Sequence, residues 1–404
     1  MKSSQLLILG NGFDVHCGLR STYTDFFRSE IIDTIGESFG RKQLRAGVRG
    51  FWESLLFEYY DVYDKNDYKW CDIETIIKDT LWSIYFGENS SVKNIDRGLY
   101  MSSLNFFTDK PQSFDKDNLK NIGKFLFDYC LDFITLYHLN VLSPIRGLDL
   151  LCENLLQQLN NLEQRFCRYL KNQIINPDNE KELNEKYIVN SVNLLAQLTG
   201  FVCYKFNKLD DFIVFQSKKC LIDVFDNLKD VHILSFNYTA LFDILGVNKP
   251  CAYNNVHGKL CNNICTKDCN ASSVIFGIDD NLIQSQYFKS ELRLFSKTYR
   301  KIFNDEYSIK TLPSNNNNRV QIKFYGHSLS KADYSYFQSI FDYYDLYGNS
   351  NVSLVFYYSK GYEQHDDIYR LISEYGKSLT NKEQGKNLIH KLLLENRLRI
   401  QEVK

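Results

Sequence analysis

The chain has 404 residues, of which 44% are hydrophobic and 24% charged, and its formal net charge is −1 at pH 7. This composition is ordinary for a globular protein with a sizeable core, and the near-zero charge excludes an overall field that would draw the chain to nucleic acid or to an anionic membrane. No run of about 18 apolar residues predicts a membrane span, and 11 cysteines without a secretory signal pattern predict free thiols and a cytoplasmic location.

The first predicted elements are a buried strand and a glycine turn in the stretch LLILGNGFDVHCG, residues 6–18. The apolar run leads straight into Gly10-Asn11-Gly12, and the following STYTDFF begins a helix with Thr22 and Asp25 as a capping pair. Two glycines directly after a strand allow a tight turn and a close approach of the backbone to a phosphate group. A purely structural turn between strand and helix explains the same residues, and G-x-G alone does not separate the two.

The second zone, residues 50–229, is predicted to be almost wholly helical. Ile73, Ile76, Ile77 and Leu81 share one helix face, and a longer apolar stripe recurs at spacings of three and four over residues 151–170. We interpret both stripes as packing faces of a helical bundle. A coiled coil that binds a partner is the alternative for the longer stripe, although this stripe spans few heptads.

The third zone returns to alternating strands and helices, which is typical of βαβ units and a parallel sheet. Apolar runs predict four strands, at 231–237, 274–279, 320–328 and 352–359. Helices are predicted at 285–303, 333–344, 364–374 and 383–399, with Asp333 as an N-cap.

The simplest assembly is an α/β fold with a doubly wound, mostly parallel, Rossmann-like sheet. The sheet domain would comprise residues 1–49 and 230–376, interrupted by an all-helical insertion at 50–229 and followed by a C-terminal helix in 377–404.

Small and polar residues follow each predicted strand, and in an open parallel sheet these positions meet at the edge where ligands bind. The residues that follow the strands are Gly10–Asp14, residues 235–239, His257, residues 277–279 and residues 326–328. The candidate site residues taken from them are Gly10, Asn11, Gly12, Phe13, Asp14, Ser235, Asn237, Tyr238, His257, Gly326, His327 and Ser328. Among them His257, which precedes a glycine in a loop, has the chemistry of a general base, although a capping or core histidine is the common alternative.

Several short motifs, in order along the chain, resemble known families. GNGFDVHCGL resembles the sirtuin nucleotide-binding pattern G-A-G-x-S-x-x-x-G-I, SFNYT its T-x-N-x-D segment, VHG its catalytic H-G, and FYGHSLSKAD its late glycine-serine segment. Six short motifs are most similar to those of AbiH, the phage abortive-infection family, namely GNGFD, FNYT, HG, FGID, GHSLSKAD and WCDIE at residues 70–74. The resemblance covers residues 5–27 and 231–358 in addition to that short stretch.

This resemblance implies a sirtuin-like domain that acts as an NAD glycohydrolase in antiphage defence, with NAD as substrate. No metal is expected, because the cysteines of this chain depart from the sirtuin zinc ribbon. If the roles of the matching sirtuin residues apply to this chain, Asn237 would orient a ribose hydroxyl or the attacking water, and His257 would act as general base or hold a ribose hydroxyl. The implied nucleotide-binding residues are Gly10, Asn11, Gly12 and Phe13 at the pyrophosphate and adjacent ribose, Gly326, His327 and Ser328 near the adenosine, and Asp14, Ser235 and Tyr238 beside them.

The chain departs from the sirtuin pattern at several places, among them Thr239 in place of the aspartate of T-x-N-x-D and Arg20 in place of a proline. Asp14 stands where sirtuins have serine, and a carboxylate there would repel a pyrophosphate unless it points at a ribose or caps a helix. Cys261, Cys265 and Cys269 lie where sirtuins carry a zinc ribbon, but their C-x-x-x-C spacing differs from paired C-x-x-C turns, so free thiols are expected.

Two alternatives to the enzyme stay open. One is a non-catalytic module that senses NAD or ADP-ribose, which Asp14 favours. The other is a toxin that acts on nucleic acid through the basic residues of the predicted helix at 285–303, although a solvated helix face is the simpler interpretation of those residues. Neither the trigger nor the oligomeric state is evident from the residues, and assembly into a homo-oligomer is expected only by analogy.

Overall fold

The computed structural model describes residues 3–27, 29, 51–52, 73–74, 76–78, 80–81, 144–176, 179–200, 230–245, 252–260, 273–279, 290–303, 311–315 and 319–403. The chain divides into two compact units. The first comprises Met1–Thr22, Cys167–Val274 and Asp305–Lys404, and the second comprises Tyr23–Phe166 and Ile275–Asn304. These boundaries differ from the predicted domains, because residues 167–229 group with the sheet and residues 275–304 do not.

The described strands, in chain order, are β1 (Ser3–Leu9), β2 (Ile175–Asn176), β3 (Asn179–Leu183), β4 (Val231–Ser235), β5 (Ala252–Asn255), β6 (Arg319–Tyr325), β7 (Val352–Tyr358) and β8 (Leu398–Glu402). The described helices are α1 (Gly12–His16), α2 (Tyr23–Phe27), α3 (Pro144–Ile174), α4 (Glu185–Thr199), α5 (Leu241–Leu245), α6 (Lys297–Phe303), α7 (Tyr334–Tyr343), α8 (His365–Ser378) and α9 (Lys382–Leu394). Short 3-10 helices occupy Ser290–Phe295 and Lys331–Asp333. None of the described helices is long and apolar enough to cross a membrane.

The first unit is built on a six-stranded sheet in the order β5-β4-β1-β6-β7-β8, with every neighbouring pair parallel. Numbered along the chain, the strands of this sheet follow the order 3-2-1-4-5-6 of doubly wound dinucleotide-binding sheets. In that order the first strand of the chain, β1, lies in the middle of the sheet, and the direction in which successive strands are added reverses between β1 and β6. The prediction of an α/β fold with a parallel sheet is therefore confirmed.

Both faces of this sheet are covered by helices, which explains why its central strands read as continuous apolar runs. Leu6 belongs to a buried cluster with residues of α7, α8 and α9. Gln5 and Lys323 lie on the opposite face, because side chains alternate along a strand. Their side chains reach the end of α4, where Gln5 Nε2 donates to Thr199 O at 3.0 Å and Lys323 Nζ donates to Leu198 O at 2.8 Å.

Several predicted elements are corrected. The run at 274–279 is not a strand of the sheet, since only Ile278 forms an isolated bridge, to Ser296 in the second unit. The sheet instead includes β5 and β8, which the sequence analysis did not predict. The predicted C-terminal helix is also wrong beyond α9, because residues 398–402 form β8. The insertion is not all-helical, since β2 and β3 form an antiparallel pair within it.

The described part of the second unit confirms both predicted apolar stripes. Ile73, Ile76, Ile77 and Leu81 are helical and at most 1% exposed. Along α3 the stripe residues are likewise buried, namely Leu155, Leu159, Leu162 and Phe166. These side chains form packing faces, as the bundle interpretation requires, rather than an exposed coiled-coil seam.

Candidate functional site at the carboxyl edge of the sheet

The turn after β1 packs directly against the turn after β6, at the position where the winding of the sheet reverses. Gly12 N–H donates to Gly326 O at 2.8 Å. A Cβ atom added at Gly10 would lie 2.4 Å from His327 Cα, and one added at Gly12 would lie 2.6 Å from Gly326 Cα. Gly326 also has a φ of 68°, which favours glycine. Glycine is therefore required at these positions for the contact between the two turns.

Backbone N–H groups that were predicted to cradle a pyrophosphate are engaged within the protein. Gly10 N–H donates to Tyr325 O at 3.0 Å, and Phe13 N–H donates to Gly10 O at 2.9 Å. The side chain of Asn11 accepts a hydrogen bond from Ser21 Oγ at 2.7 Å. The glycine turn thus has a structural purpose that does not depend on a ligand, which is one of the two interpretations left open by the sequence.

Asp14 is buried in a network of hydroxyl groups. The residue is 2% exposed, Thr239 Oγ1 donates to its Oδ2 at 2.7 Å, and Tyr187 Oη donates to its Oδ1 at 3.0 Å. Burial raises the pKa of the Asp14 carboxyl from 3.8 to about 7, while the two hydroxyl donors act in the opposite direction. Asp14 thereby links α1 to α4 and to the loop after β4, which gives a structural reason for its presence.

The loop after β4 is held in place through its backbone. Asn237 N–H donates to Ser235 Oγ at 3.2 Å, and Asn255 Nδ2 donates to Asn237 O at 2.7 Å and to Thr239 O at 3.0 Å. Asn237 is 3% exposed, yet its side-chain oxygen Oδ1 has no hydrogen-bond partner among the described residues. A buried polar atom left unsatisfied costs about 1–3 kcal/mol. Such an acceptor indicates a place where a bound donor would fit.

Two buried histidines flank one carboxyl group at the same edge of the sheet. His257, from the loop after β5, places Nε2 3.0 Å from Asp333 Oδ1, and His327, from the turn after β6, places Nε2 3.3 Å from Asp333 Oδ2. All three residues are less than 8% exposed. The ring of Phe236 lies edge-on to both imidazoles, with centroid distances of 5.3 and 4.5 Å. An aromatic residue from the loop after β4 thus lies against both histidines.

The conformation of His327 is fixed by its own segment and by α8. Leu329 N–H donates to His327 Nδ1 at 2.9 Å, and Gln364 Nε2 donates to His327 O at 2.9 Å. Leu329 has a φ of 55°, in the left-handed region that leucine rarely occupies. Strained backbone of this kind is concentrated at functional sites. Ser328 is exposed, in contrast to its neighbours.

The structure separates the predicted site residues into distinct groups. Gly10, Gly12 and Gly326 serve the contact between two turns, and Asp14 serves the hydroxyl network. His257 and His327 converge on one carboxyl group, to which Phe236 from the loop after β4 also lies close.

Sequence reasoning missed the role of Asp333 and the participation of Tyr187. Asp333 occupies the N-cap position of α7, as predicted, but its side chain makes no capping hydrogen bond and is directed to the histidines instead. The sequence did contain a clue to the importance of Asp333, because this residue is the last one of the motif GHSLSKAD. Tyr187 carried no such signal, since it lies in the segment assigned to the helical insertion.

The basic stretch in the second unit is not a single solvated helix face. Within the described residues it comprises a 3-10 helix followed by α6. Lys297 is 2% exposed and pairs with Glu74 at 2.5 Å, and Arg300 pairs with Glu163 at 2.6 Å. Two of the basic residues that motivated the toxin alternative are therefore engaged in ion pairs within the second unit.

The three cysteines of the zinc-ribbon comparison, Cys261, Cys265 and Cys269, lie outside the described residues. Among the residues that are described, no group of three or more histidine, cysteine or acidic side chains is arranged to hold a metal ion.

A parallel sheet in this strand order, with polar side chains gathered at its carboxyl edge, defines an α/β protein with a candidate ligand site. Comparison with family models gives a match over residues 6–358 to the family described as Bacteriophage abortive infection AbiH. The chain belongs to this family, as its motifs predicted. No curated protein and no solved structure matches it. The likeness to sirtuins rests on the short sequence motifs alone.

Proposed function

We propose that this protein acts in abortive infection as an NAD glycohydrolase, with a Rossmann-like, sirtuin-like sheet domain that binds NAD as substrate. The observation that carries the proposal is the arrangement at the carboxyl edge of the sheet. There a buried amide oxygen that has no hydrogen-bond partner among the described residues, Asn237 Oδ1, follows β4, and a buried histidine that lies 3.0 Å from a carboxyl oxygen, His257, follows β5. The strand order supports it, because doubly wound sheets bind nucleotides at this edge.

The proposed chemistry needs few groups. Nicotinamide leaves NAD as a neutral molecule and takes the electrons of the broken C–N bond, so the leaving group requires no acid. The remaining ribosyl cation is attacked by water, which loses a proton. Asn237 Oδ1 would accept a hydrogen bond from a ribose hydroxyl or from this water, and His257 would take the proton as general base.

The contacts at the glycine turn change one part of the proposal. Because the N–H groups of Gly10, Gly12 and Phe13 donate to backbone carbonyls, we assign these residues the shape of the turn rather than hydrogen bonds to a pyrophosphate. Asp14 is likewise assigned a structural role. The sensing alternative loses the observation that favoured it, since Asp14 is accounted for by its partners Tyr187 and Thr239.

The test measures NAD, nicotinamide and ADP-ribose in cells that express the protein and are challenged with phage, so that the natural trigger is supplied. Asn237→Ala and His257→Ala are compared with wild type. Asn237→Ala leaves the loop intact, because the hydrogen bonds that hold this residue use its backbone. His365→Ala and Asn387→Ala, at exposed helical positions, are the matched controls.

We expect NAD to fall and nicotinamide to rise after infection with wild type and with both controls, and turnover to drop at least about 100-fold in the two site variants. Unchanged NAD in cells that nevertheless arrest after infection would reject NAD hydrolysis. Binding of NAD without product, seen as a rise in the melting temperature of the purified protein, would instead support the sensing module. Full activity in both site variants would reject the residue assignment.

A further inference from the structure

A second polar cluster lies at the carboxyl edge of the sheet and takes no part in the chemistry proposed above. It consists of His16 at the end of α1, Tyr325 at the end of β6 and Ser359 directly after β7. Tyr325 Oη lies 2.7 Å from His16 Nδ1 and 2.7 Å from Ser359 Oγ, and His16 Nδ1 lies 3.1 Å from Ser359 Oγ. Segments that are far apart in the chain thus bring two hydroxyl groups and one imidazole nitrogen into mutual hydrogen-bond distance.

The cluster lies where the direction in which strands are added reverses, because β1 leads into α1 and β6 ends at Tyr325. Side chains alternate along β6, so Tyr325 shares with Lys323 the sheet face that is covered by α4. Phe324 points to the opposite face, where it belongs to a buried cluster with Phe337, and His327 packs against Phe337. The new cluster is therefore separate from the two buried histidines, at a position where open parallel sheets bind ligands.

The surroundings of the cluster favour an anion. His16 is exposed and Ser359 is half-buried, and the described residues place no carboxylate in hydrogen-bond or ion-pair contact with the three side chains. The exposed Lys360 follows Ser359 in the chain. The stem of Lys186 lies beside Gly18, at the end of the same segment as His16, since a Cβ atom added at Gly18 would lie 3.5 Å from Lys186 Cε.

The hydrogen atoms of the cluster cannot satisfy all three contacts internally. A single ring nitrogen either donates or accepts, so a closed ring of hydrogen bonds through His16 Nδ1 is impossible. When Nδ1 carries a proton, it donates to one hydroxyl oxygen, that hydroxyl donates to the other, and the last hydroxyl proton points out of the cluster. An anion favours this form, because it stabilises the imidazolium and accepts the outward hydroxyl proton.

We propose that His16, Tyr325 and Ser359 bind a phosphate group, which in the proposed function is the diphosphate of the dinucleotide. The glycine turn leaves this group without a partner, because the N–H groups of Gly10 and Phe13 donate to backbone carbonyls. The identity of the ligand rests on the proposed function, whereas the phosphate site itself does not.

The spacing of the strands agrees with a dinucleotide that crosses this edge of the sheet. Tyr325 ends β6, and Asn237 follows β4, two strands away, which corresponds to about 10 Å at about 4.8 Å per strand. Only one ribose ring and one methylene group separate the reacting carbon of NAD from its nearer phosphate. A ligand with its reacting ribose at Asn237 therefore brings its diphosphate toward the cluster.

The experiment measures binding of inorganic pyrophosphate and of ADP-ribose to the purified full chain by isothermal titration calorimetry. Tyr325→Phe and Ser359→Ala each remove one hydroxyl group and keep the rest of the side chain, and His16→Gln removes the imidazole. Tyr369→Phe, at an exposed position of α8, is the matched control for the loss of a hydroxyl group. ¹⁵N spectra of wild type with labelled histidine follow the ring of His16 during both titrations, and its signals are identified by their loss in His16→Gln.

Each of the three site variants should bind both ligands at least about 10-fold more weakly than wild type, because a hydrogen bond to a charged group is lost. Tyr369→Phe should bind as wild type does, and the wild-type His16 ring should gain a proton at Nδ1 when either ligand binds. Unchanged binding in all three variants overturns the inference. So does a wild-type His16 ring that responds to neither ligand, even if the variants fail to fold.

The source of the phosphate group and the proposed function are tested separately. Weaker binding of pyrophosphate with unchanged binding of ADP-ribose supports the site with free phosphate as its ligand. If the variants weaken binding of both ligands but wild type never consumes NAD, the proposed function fails and the phosphate site stands. If wild type consumes NAD and KM is unchanged in all three variants, the proposed function stands and the cluster is rejected as the place of the diphosphate.

Discussion

The pH dependence of folding should be governed in part by Asp14, whose carboxyl group is buried between two hydroxyl groups. In the unfolded chain this group has its ordinary pKa of 3.8, and in the folded protein burial raises the pKa to about 7. A difference of about 3 units at 1.36 kcal/mol per unit corresponds to about 4 kcal/mol. The folded state therefore binds a proton that the unfolded state releases between these two values.

The difference between the two pKa values sets the direction in which pH changes the free energy of unfolding. Below pH 3.8 the group is protonated in both states and has no effect on stability. As the pH rises from 4 to 7 the unfolded state is increasingly favoured, and above pH 7 the full destabilisation of about 4 kcal/mol is present. Between pH 5 and pH 8 the protein should lose about 2–3 kcal/mol from this group.

The variant Asp14→Asn should abolish that loss. A carboxamide does not ionise, its oxygen accepts from one hydroxyl group, and its NH₂ donates to the other, so both contacts to Tyr187 and Thr239 are kept. Asp14→Ala is the control, because it leaves both hydroxyl groups without their partner and should be destabilised at both pH values. Urea unfolding at pH 5 and pH 8 measures the difference.

Parallel pH dependence of wild type and Asp14→Asn across this window would show that Asp14 does not hold its proton in the folded state.

The same variant tests whether Asp14 contacts the substrate. Because Asp14 is assigned no contact with substrate, KM for NAD should be unchanged in Asp14→Asn, and a large increase would return Asp14 to the nucleotide pocket.

Two further substitutions test the packing. Gly10→Ala places a methyl group 2.4 Å from the backbone of the turn after β6, and this clash should destabilise the first unit by about 3 kcal/mol or more. The control Gly361→Ala, at a position with φ 83° and no atom within 4 Å, should cost only about 1–2 kcal/mol. Equal melting temperatures of the two variants would contradict the close contact at Gly10. Arg300→Ala removes the partner of the buried Glu163 carboxyl and should destabilise the second unit by about 3–5 kcal/mol, and Arg300→Lys should recover part of this loss. A loss of stability below about 1 kcal/mol in Arg300→Ala would mean that water replaces the guanidinium.

The central strands of the sheet could be predicted because they are buried on both faces and therefore read as unbroken apolar runs. The strands β1, β4, β6 and β7 were found in this way. The same property misled at 274–279, since an apolar segment packed in the second unit has the same composition as a buried strand. β8, with the sequence LRIQE, was missed because its residues are mostly exposed and mixed in polarity.

The sequence by itself determined the glycine turns, the polar residues that follow the strands, and the motifs of the AbiH family, because each depends on a few neighbouring residues. Only the tertiary structure decided what those residues contact. It placed Asp333 between His257 and His327, and it enclosed Asp14 with Tyr187 and Thr239. These contacts join positions far apart in the chain, and the burial that raises the pKa of Asp14 comes from segments whose packing no local pattern specifies.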